Sequence, residues 1–207
     1  DRNQGLHRQY LLSLLELDKQ DAEVPYLLGE SFLAAAPKKA AGFFQEALDR
    51  LAAAGEPNIY QQAMKARVLY RLGRPRQAEP IFRLLLDQEA GKADTRGDLA
   101  QLLVEERRFD EALALIASGP GDAGTDRLRV AIYQQQHRWD RVAQTLADLV
   151  AREPGNWDLK LELAEARRRT GQWPEATRLC AAVLAGRAGR GRREQAYELQ
   201  RELRLAH

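Results

Sequence analysis

Four segments of the chain follow one pattern, and they read LYRLGRPRQAEPIFRLLL (residues 69–86), LVEERRFDEALALIASGP (103–120), YQQQHRWDRVAQTLADLV (133–150) and RRRTGQWPEATRLCAAVL (167–184). A small residue follows a turn in each, at Ala78, Ala112, Val142 and Ala176, so the pattern recurs at steps of 34, 30 and 34 residues. A period in the thirties with two helices per period indicates stacked helical pairs, because one pair cannot bury its own apolar face. The sequence therefore predicts an all-α fold, an α-α superhelix (solenoid) of stacked helix-turn-helix units.

The composition excludes several classes of protein. The chain has 207 residues, of which 44% are hydrophobic and 30% charged, and no run of 18 apolar residues occurs, so we do not expect this segment to span a membrane. The 32 basic and 30 acidic residues leave a formal charge of only +2, which gives little attraction to nucleic acid. The single cysteine, Cys180, cannot form an internal disulfide, and this leaves the compartment open.

Glycine and proline clusters such as GEPN (55–58) and GQWP (171–174) mark the helix ends. The 30-residue step coincides with the loop GPGDAG (119–124), where we expect the curvature of the array to change. The chain begins at Asp1 without an initiating methionine, and we expect it to be a piece excised from a longer protein. We predict one solenoid segment covering 1–207, with a partial leading helix at 5–19, helical pairs at about 22–54, 58–90, 95–118, 125–152 and 156–185, and a final helix at 192–206.

The repeats resemble those of the tetratricopeptide repeat (TPR) family over nearly the whole chain. In that family the first helix of each pair, helix A, and the second, helix B, each carry a small residue at their close contact. The small residues of helix A are Gly29, Ala66, Ala100, Val130 and Ala164, and those of helix B are Ala40, Ala78, Ala112, Val142 and Ala176. A larger residue four positions later in helix B is Phe44, Phe82, Ile116, Leu146 or Cys180. The resemblance implies TPR units with no enzymatic role.

In this family helix A lines the inner, concave surface that holds a partner's peptide or helix. Carried over by position, the resemblance selects a row of residues of mixed charge, which predicts a polar and geometrically specific partner. An ordinary solvated helix face is the alternative for any one of them. We call these fifteen residues the helix-A row: Tyr26, Glu30, Arg67, Tyr70, Arg71, Asp98, Gln101, Glu105, Arg127, Gln134, Gln135, Glu162, Glu165, Arg168 and Arg169.

One specialised TPR activity is not expected. The subgroup that grips a chaperone's C-terminal carboxylate needs lysine and asparagine at matching positions of helix A. This chain has Ala63 and Arg67 at one such pair, and Gly97 and Gln101 at the next.

Catalysis, cofactors and metals are not predicted either. His7, His137 and His207 belong to distant repeats, which a stacked array does not bring together. Cys180 falls at a core position of helix B, where a buried inert thiol is expected. The stretch GRAGRGR (186–192) lacks the preceding strand of a phosphate-binding loop. We interpret Arg187 to Arg193 as a flexible, positively charged linker, and the alternative is a contact with phosphates or an acidic partner.

The leading functional hypothesis is a non-catalytic scaffold that binds another protein. The Ala-, Leu- and Arg-rich repeats look like the periplasmic arms of bacterial outer-membrane exopolysaccharide exporters of the Pel, cellulose and poly-N-acetylglucosamine type, which recruit periplasmic enzymes or assembly components. That resemblance implies a periplasmic location, as part of an outer-membrane protein. The alternatives are direct binding of polysaccharide or RNA along the groove, a cytoplasmic TPR adaptor, and self-association through exposed terminal helices.

Overall fold

A computed structural model describes residues 2–88, 92–119 and 123–205 of the chain. Within these ranges it contains twelve α-helices and no strand, which confirms the all-α fold class. The helix ends differ from the predicted ends by no more than about one turn. The helices are α1 (Arg2–Leu17), α2 (Glu23–Phe32), α3 (Pro37–Ala53), α4 (Ile59–Arg71), α5 (Pro75–Asp87), α6 (Lys92–Glu105), α7 (Phe109–Ala117), α8 (Ala123–Gln135), α9 (Trp139–Arg152), α10 (Trp157–Arg169), α11 (Trp173–Ala185) and α12 (Arg190–Leu205).

The chain divides into two compact units, Asp1–Leu115 and Ile116–His207, which we call unit 1 and unit 2. In unit 1, α2 packs against α3 and α4 packs against α5. In unit 2, α8 packs against α9 and α10 packs against α11. Successive A helices also touch, since α2 contacts α4, α4 contacts α6 and α10 contacts α12. In unit 1 the first helices of neighbouring pairs therefore lie side by side, and in unit 2 α10 and α12 do so.

The small residues assigned to the close contacts lie in the cores of the two units. Gly29 shows how tight such a contact is, because a Cβ atom added there would lie 2.5 Å from Cε1 of Phe44. Small side chains allow two helices to approach within roughly 8–10 Å. The bulky residues four positions further along helix B fill the space beside them. Each of the following is at most 4% exposed: Ala40, Ala66, Ala78, Ala100, Ala112, Val130, Val142, Ala164, Ala176, Phe44, Phe82, Ile116, Leu146 and Cys180.

Most turns between helices A and B repeat one backbone conformation. In four of the five described turns the corresponding residue has a positive φ angle: +70° at Gly73, +75° at Gly171, +61° at Arg107 and +55° at His137, whereas the α2–α3 turn has no such residue. The amide of the next residue then donates to a carbonyl five residues earlier, as from Arg74 to Leu69 and from Arg138 to Tyr133. This is the left-handed ending typical of helix C-termini. The turn geometry therefore follows the repeat even where the residue is not glycine.

Several helices begin with residues suited to that position. The Asn58 side chain accepts a hydrogen bond from the amide of Gln61, and the side-chain oxygen of Gln61 accepts one from the amide of Asn58, so a complete capping box opens α4. Asn156 caps α10 by accepting from the amide of Leu159. Pro75 is the first residue of α5, where its missing amide hydrogen leaves no helical bond unmade.

Two loops for which the sequence raised expectations lie before α12 and around residues 119–124. The interpretation of Arg187 to Arg193 as a flexible linker is wrong from Arg190 onward, because α12 begins there and the side chains of Arg192 and Arg193 are held by bonds. Arg192 makes two hydrogen bonds to Asp158 at 2.6 and 2.7 Å, and Arg193 donates to the carbonyl of Gly186 at 2.8 Å. The loop predicted to change the curvature includes residues 120–122, which lie outside the described residues, so that prediction stays untested.

The final helix, α12, repeats the register of a helix A. Ala196 is fully buried and is followed three positions later by Leu199, in the same order as Ala100 and Leu103. The helix packs against α11 and also against the A helix α10. In unit 2, α12 therefore extends the surface formed by the first helices of the pairs.

Candidate functional site

The helix-A row of unit 1 is joined by ion pairs that run from one A helix to the next. Arg71 in α4 donates to both carboxylate oxygens of Glu30 in α2, at 2.7 and 3.2 Å. Arg67, one turn earlier in α4, donates from Nε to Asp98 in α6 at 2.5 Å. The structure thus brings together four of the charged residues that the sequence places in this row.

These ion pairs are half-buried, and their charges are favoured by the pairing. Partial burial opposes the charge of Arg67, but the Asp98 carboxylate outweighs it and raises the pKa of Arg67 above its usual value. The same balance, with Glu30 as the partner, raises the pKa of Arg71. Both guanidinium groups remain charged at any physiological pH and are fixed in direction by a carboxylate.

Two tyrosines lie among these ion pairs. Burial and the nearby Glu30 raise the pKa of Tyr26, whose ring lies 6.2 Å from that of Phe44. Burial, followed by the Glu105 carboxylate, raises the pKa of Tyr70 well above its usual value. The Tyr70 hydroxyl is shielded from solvent and makes no well-aligned hydrogen bond in the described part of the chain. Both phenols therefore stay protonated and uncharged.

The rest of the unit 1 row is polar and partly exposed. Gln101 donates to Glu105 at 3.1 Å within α6. The sequence did not single out Tyr60, whose hydroxyl donates to Glu23 at 2.9 Å and adds a further link between α4 and α2. Its spacing of seven residues from Arg67, which places both residues on one face of α4, is a signal that could have suggested it.

The helix-A row of unit 2 shows the same type of link. Arg127 in α8 donates from one nitrogen to both carboxylate oxygens of Glu162 in α10, each at 2.9 Å. Within α10, Glu165 accepts from Arg168 at 2.7 and 2.8 Å and from Arg169 at 2.6 Å. Burial opposes the charge of Glu165, but these two arginines outweigh it and lower its pKa.

An open groove of about 680 Å³ crosses the A helices of unit 2. Five residues of the helix-A row line it: Gln134 of α8 and Glu162, Glu165, Arg168 and Arg169 of α10. We call this depression the unit 2 groove. Gln135, by contrast, is exposed and does not line the groove. Arg127 does not line it either, but it is bonded to Glu162, which does.

Six further residues line the unit 2 groove, and sequence reasoning missed all of them. Trp139 begins α9, and the guanidinium of Arg169 lies over its ring at 4.2 Å from the centroid. The register of Ala196 and Leu199 could have identified α12 as an A helix and so have found the four residues that it supplies. The six are Trp139, Leu161, Gln195, Glu198, Leu199 and Glu202.

Ion pairing also occurs away from the helix-A row. Arg108, just before α7, donates to Glu79 of α5 at 2.8 Å and to Glu111 of α7 at 2.7 Å. Hydrogen bonds to Glu111 and Glu79 raise the pKa of Arg108 above its usual value. Paired charges alone therefore do not mark a binding site in this protein, and the groove is the more specific feature.

Cys180 and the histidines are the residues that the sequence analysis weighed for catalysis or metal binding. Cys180 is fully buried as a free thiol, and burial raises its pKa to about 11. His137 lies exposed in the turn between α8 and α9, and His207 lies outside the described residues. In the described ranges no group of three or more histidine, cysteine, aspartate and glutamate side chains is placed to hold a metal ion. None of the described helices combines the length and apolar character needed to cross a bilayer.

The comparisons with known proteins concern the repeats. The family model of the tetratricopeptide repeat matches residues 69–132 and 133–203. None of the curated proteins matches the sequence.

Solved structures of repeat proteins resemble the chain at low sequence identity. Yeast Tom70 has a TM-score of 0.62 and 16% identity, covering 96% of this chain and 43% of that one. A tetratricopeptide repeat protein from Parabacteroides merdae ATCC 43184 has a TM-score of 0.60 and 14% identity, covering 96% and 78%. For pilF of Pseudomonas aeruginosa the TM-score is 0.57 and the identity 14%, covering 92% and 94%. At such identities the likeness concerns the fold alone.

Proposed function

Because this chain belongs to the tetratricopeptide repeat family, whose members generally bind other proteins, we propose that it is a non-catalytic scaffold that holds a protein partner on its A helices. The observation that carries the proposal is the unit 2 groove, which gathers five residues of the helix-A row around one depression. Proteins of this family are typically scaffolds without catalytic activity.

The ion pairs support the same proposal. A side chain that is already held by a neighbour loses less freedom when a partner binds than a side chain that is mobile. Glu30 with Arg71, and Arg127 with Glu162, are held in this way. The helix-A row thus offers a partner a polar surface whose geometry is set beforehand, and such a surface favours specificity.

Direct polymer binding is less well supported by the contacts. Stacking of sugars or bases needs exposed aromatic faces. One face of Trp139 is covered by the guanidinium of Arg169. The guanidinium of Arg71 lies 5.7 Å from the centroid of the Tyr70 ring. We therefore treat binding of polysaccharide or RNA as an outcome of the experiment below.

Site-specific photocrosslinking tests the proposed function. A photoreactive phenylalanine derivative would replace Gln101 or Gln134 in the helix-A row, and in matched controls it would replace Gln77 or Gln144, which are exposed on the B helices α5 and α9. We expect a discrete protein adduct in cells from the helix-A positions alone. Adducts from the control positions alone would contradict the proposal, and so would retention of a polymer without any protein.

We further propose the setting that the sequence resemblance implies, the periplasmic arm of an exopolysaccharide exporter that recruits an enzyme or an assembly component. The support is the similarity of these Ala-, Leu- and Arg-rich repeats to such arms. Fractionation of cells that produce the full-length protein, followed by a measurement of exported polymer after deletion of residues 1–207, tests this setting. Cytoplasmic recovery with unchanged polymer export would favour the adaptor alternative.

A further inference from the structure

We propose that the unit 2 groove binds a basic amphipathic helix of the partner protein, with apolar side chains against its floor and lysine or arginine side chains opposite Glu198 and Glu202. This inference rests on the proposed function and names the chemistry of the partner. Three observations support it: the apolar floor of the groove, its charge, and the spacing of its two unpaired carboxylates.

The floor of the groove is apolar and firmly held. Trp139 packs against the core formed by α8, α9 and α10, and Leu161 and Leu199 pack against the core formed by α10, α11 and α12. All three side chains are only partly buried. Leu161, Leu199 and the part of Trp139 that Arg169 leaves uncovered therefore keep apolar surface open to a ligand, while their positions are fixed from below, as expected of a groove that receives the apolar face of a helix.

The charge of the groove is unbalanced. Four carboxylates and two guanidinium groups line it. Glu165 accepts from both Arg168 and Arg169, so these arginines are already engaged, and Glu162 is paired with Arg127. Glu198 and Glu202 are exposed and make no ion pair with any described residue. The two carboxylates of α12 are thus the charges that a ligand can neutralise.

Arg168 does not cancel this negative charge. A hydrogen bond to Glu165 is the main cause that raises the pKa of Arg168, and the carboxylate of Glu202 adds a smaller effect through space. An acidic ligand would meet Glu198 and Glu202 directly and would have to separate Arg168 from Glu165. A basic ligand is not repelled by these carboxylates and leaves the ion pair between Arg168 and Glu165 intact. Charge complementarity therefore favours a cationic partner.

The spacing of the carboxylates indicates a helical ligand. Glu198 and Glu202 lie four positions apart on α12 and therefore project from the same side of the helix, about 6 Å apart along its axis. Cations four positions apart on a partner helix have the same spacing. A helix with such a pair beside an apolar stripe can satisfy the carboxylates and the floor together.

Binding of designed peptides tests the inference. The probe is a helical peptide that carries lysine pairs four positions apart beside a leucine stripe, and a second peptide has glutamate in place of each lysine. We expect the lysine peptide to bind the whole chain in calorimetry, and its affinity to fall as salt rises. In the Glu198→Gln/Glu202→Gln variant the affinity should fall by about fivefold to tenfold, as expected for the loss of two ion pairs of ordinary strength.

The matched control is Asp140→Asn/Asp148→Asn, which removes two exposed carboxylates from the B helix α9. This variant should bind the lysine peptide as the native chain does. Equal binding of the glutamate peptide would overturn the inference, as would a lysine-peptide affinity that the α12 variant leaves unchanged. If either occurs while crosslinks still form at Gln101 or Gln134, the scaffold function stands and only the proposed partner chemistry fails.

Discussion

Position 29 has no room for a side chain, because the Phe44 ring occupies the space where a Cβ atom would lie. We expect Gly29→Ala to lower the free energy of unfolding by about 1–3 kcal/mol, the usual cost of overpacking a core. Chemical denaturation measures this directly. The control is Gly42→Ala in α3, where a new Cβ meets no atom within 4 Å and the gain in helix propensity should stabilise by about 0.5–1 kcal/mol. Equal effects of the two substitutions would contradict the proposed close contact.

The buried thiol of Cys180 should make stability depend on pH. Burial raises its pKa from 9.0 to about 11, so the folded state keeps a proton that the unfolded state releases. This contribution is fully present below pH 9 and is lost as the pH rises toward 11. The stability difference between the native chain and Cys180→Ala should therefore shrink over that interval in urea titrations. The tyrosines titrate in both proteins, so a constant difference would argue against the shift.

The buried residues of the core could be predicted from the sequence because small residues recur in it at fixed positions. Ala78, Ala112 and Ala176 recur at a fixed point of the pattern, and packing admits only small side chains there. The left-handed turns at Arg107 and His137 could not be predicted from residue type, because glycine is the usual residue for that conformation.

The ion pair between α2 and α4 should contribute to the stacking of these helices. We expect Arg71→Glu to lower the free energy of unfolding by about 0.5–1 kcal/mol, because it replaces an attraction by a repulsion in a half-buried pair. The exchanged variant, Glu30→Arg with Arg71→Glu, should recover most of that loss, and 1 M salt should reduce the difference between the two. Failure of the exchange to restore stability would show that the pair does not link the helices.

The contacts between side chains of different helices were the part of the site that could not be predicted from the sequence. The pattern places Glu30, Arg67 and Arg71 on A helices, but which charges meet depends on the rotation of each helix against the next. The spacing of the repeats does not determine that rotation. The contribution of α12 was missed for a different reason: a helix was predicted there, but the spacing of Ala196 and Leu199 was not recognised as the register of an A helix.

In an array of stacked repeats, the stability of one region depends mainly on its direct neighbours. Ala176 is fully buried in the core of unit 2 beside Ala164 and Cys180. We expect Ala176→Leu to cost about 1–3 kcal/mol and to speed amide hydrogen exchange in α10 to α12, while α2 to α5 keep their protection. Ala181→Leu on the exposed side of the same helix is the control and should leave the exchange unchanged. A uniform loss of protection along the chain would show instead that the units unfold together.

The ion pairs between successive A helices have a consequence for the evolution of this surface. Arg67 with Asp98, Glu30 with Arg71, and Arg127 with Glu162 each join two different repeats. Among homologues, a substitution at one member of such a pair should therefore be accompanied by a compensating substitution at the other. Duplication of a single repeat would copy only half of a pair and leave a charge without its counterpart. A new repeat should then fit best when its neighbours change with it, which would explain why repeats in one chain come to differ in sequence while keeping the same fold.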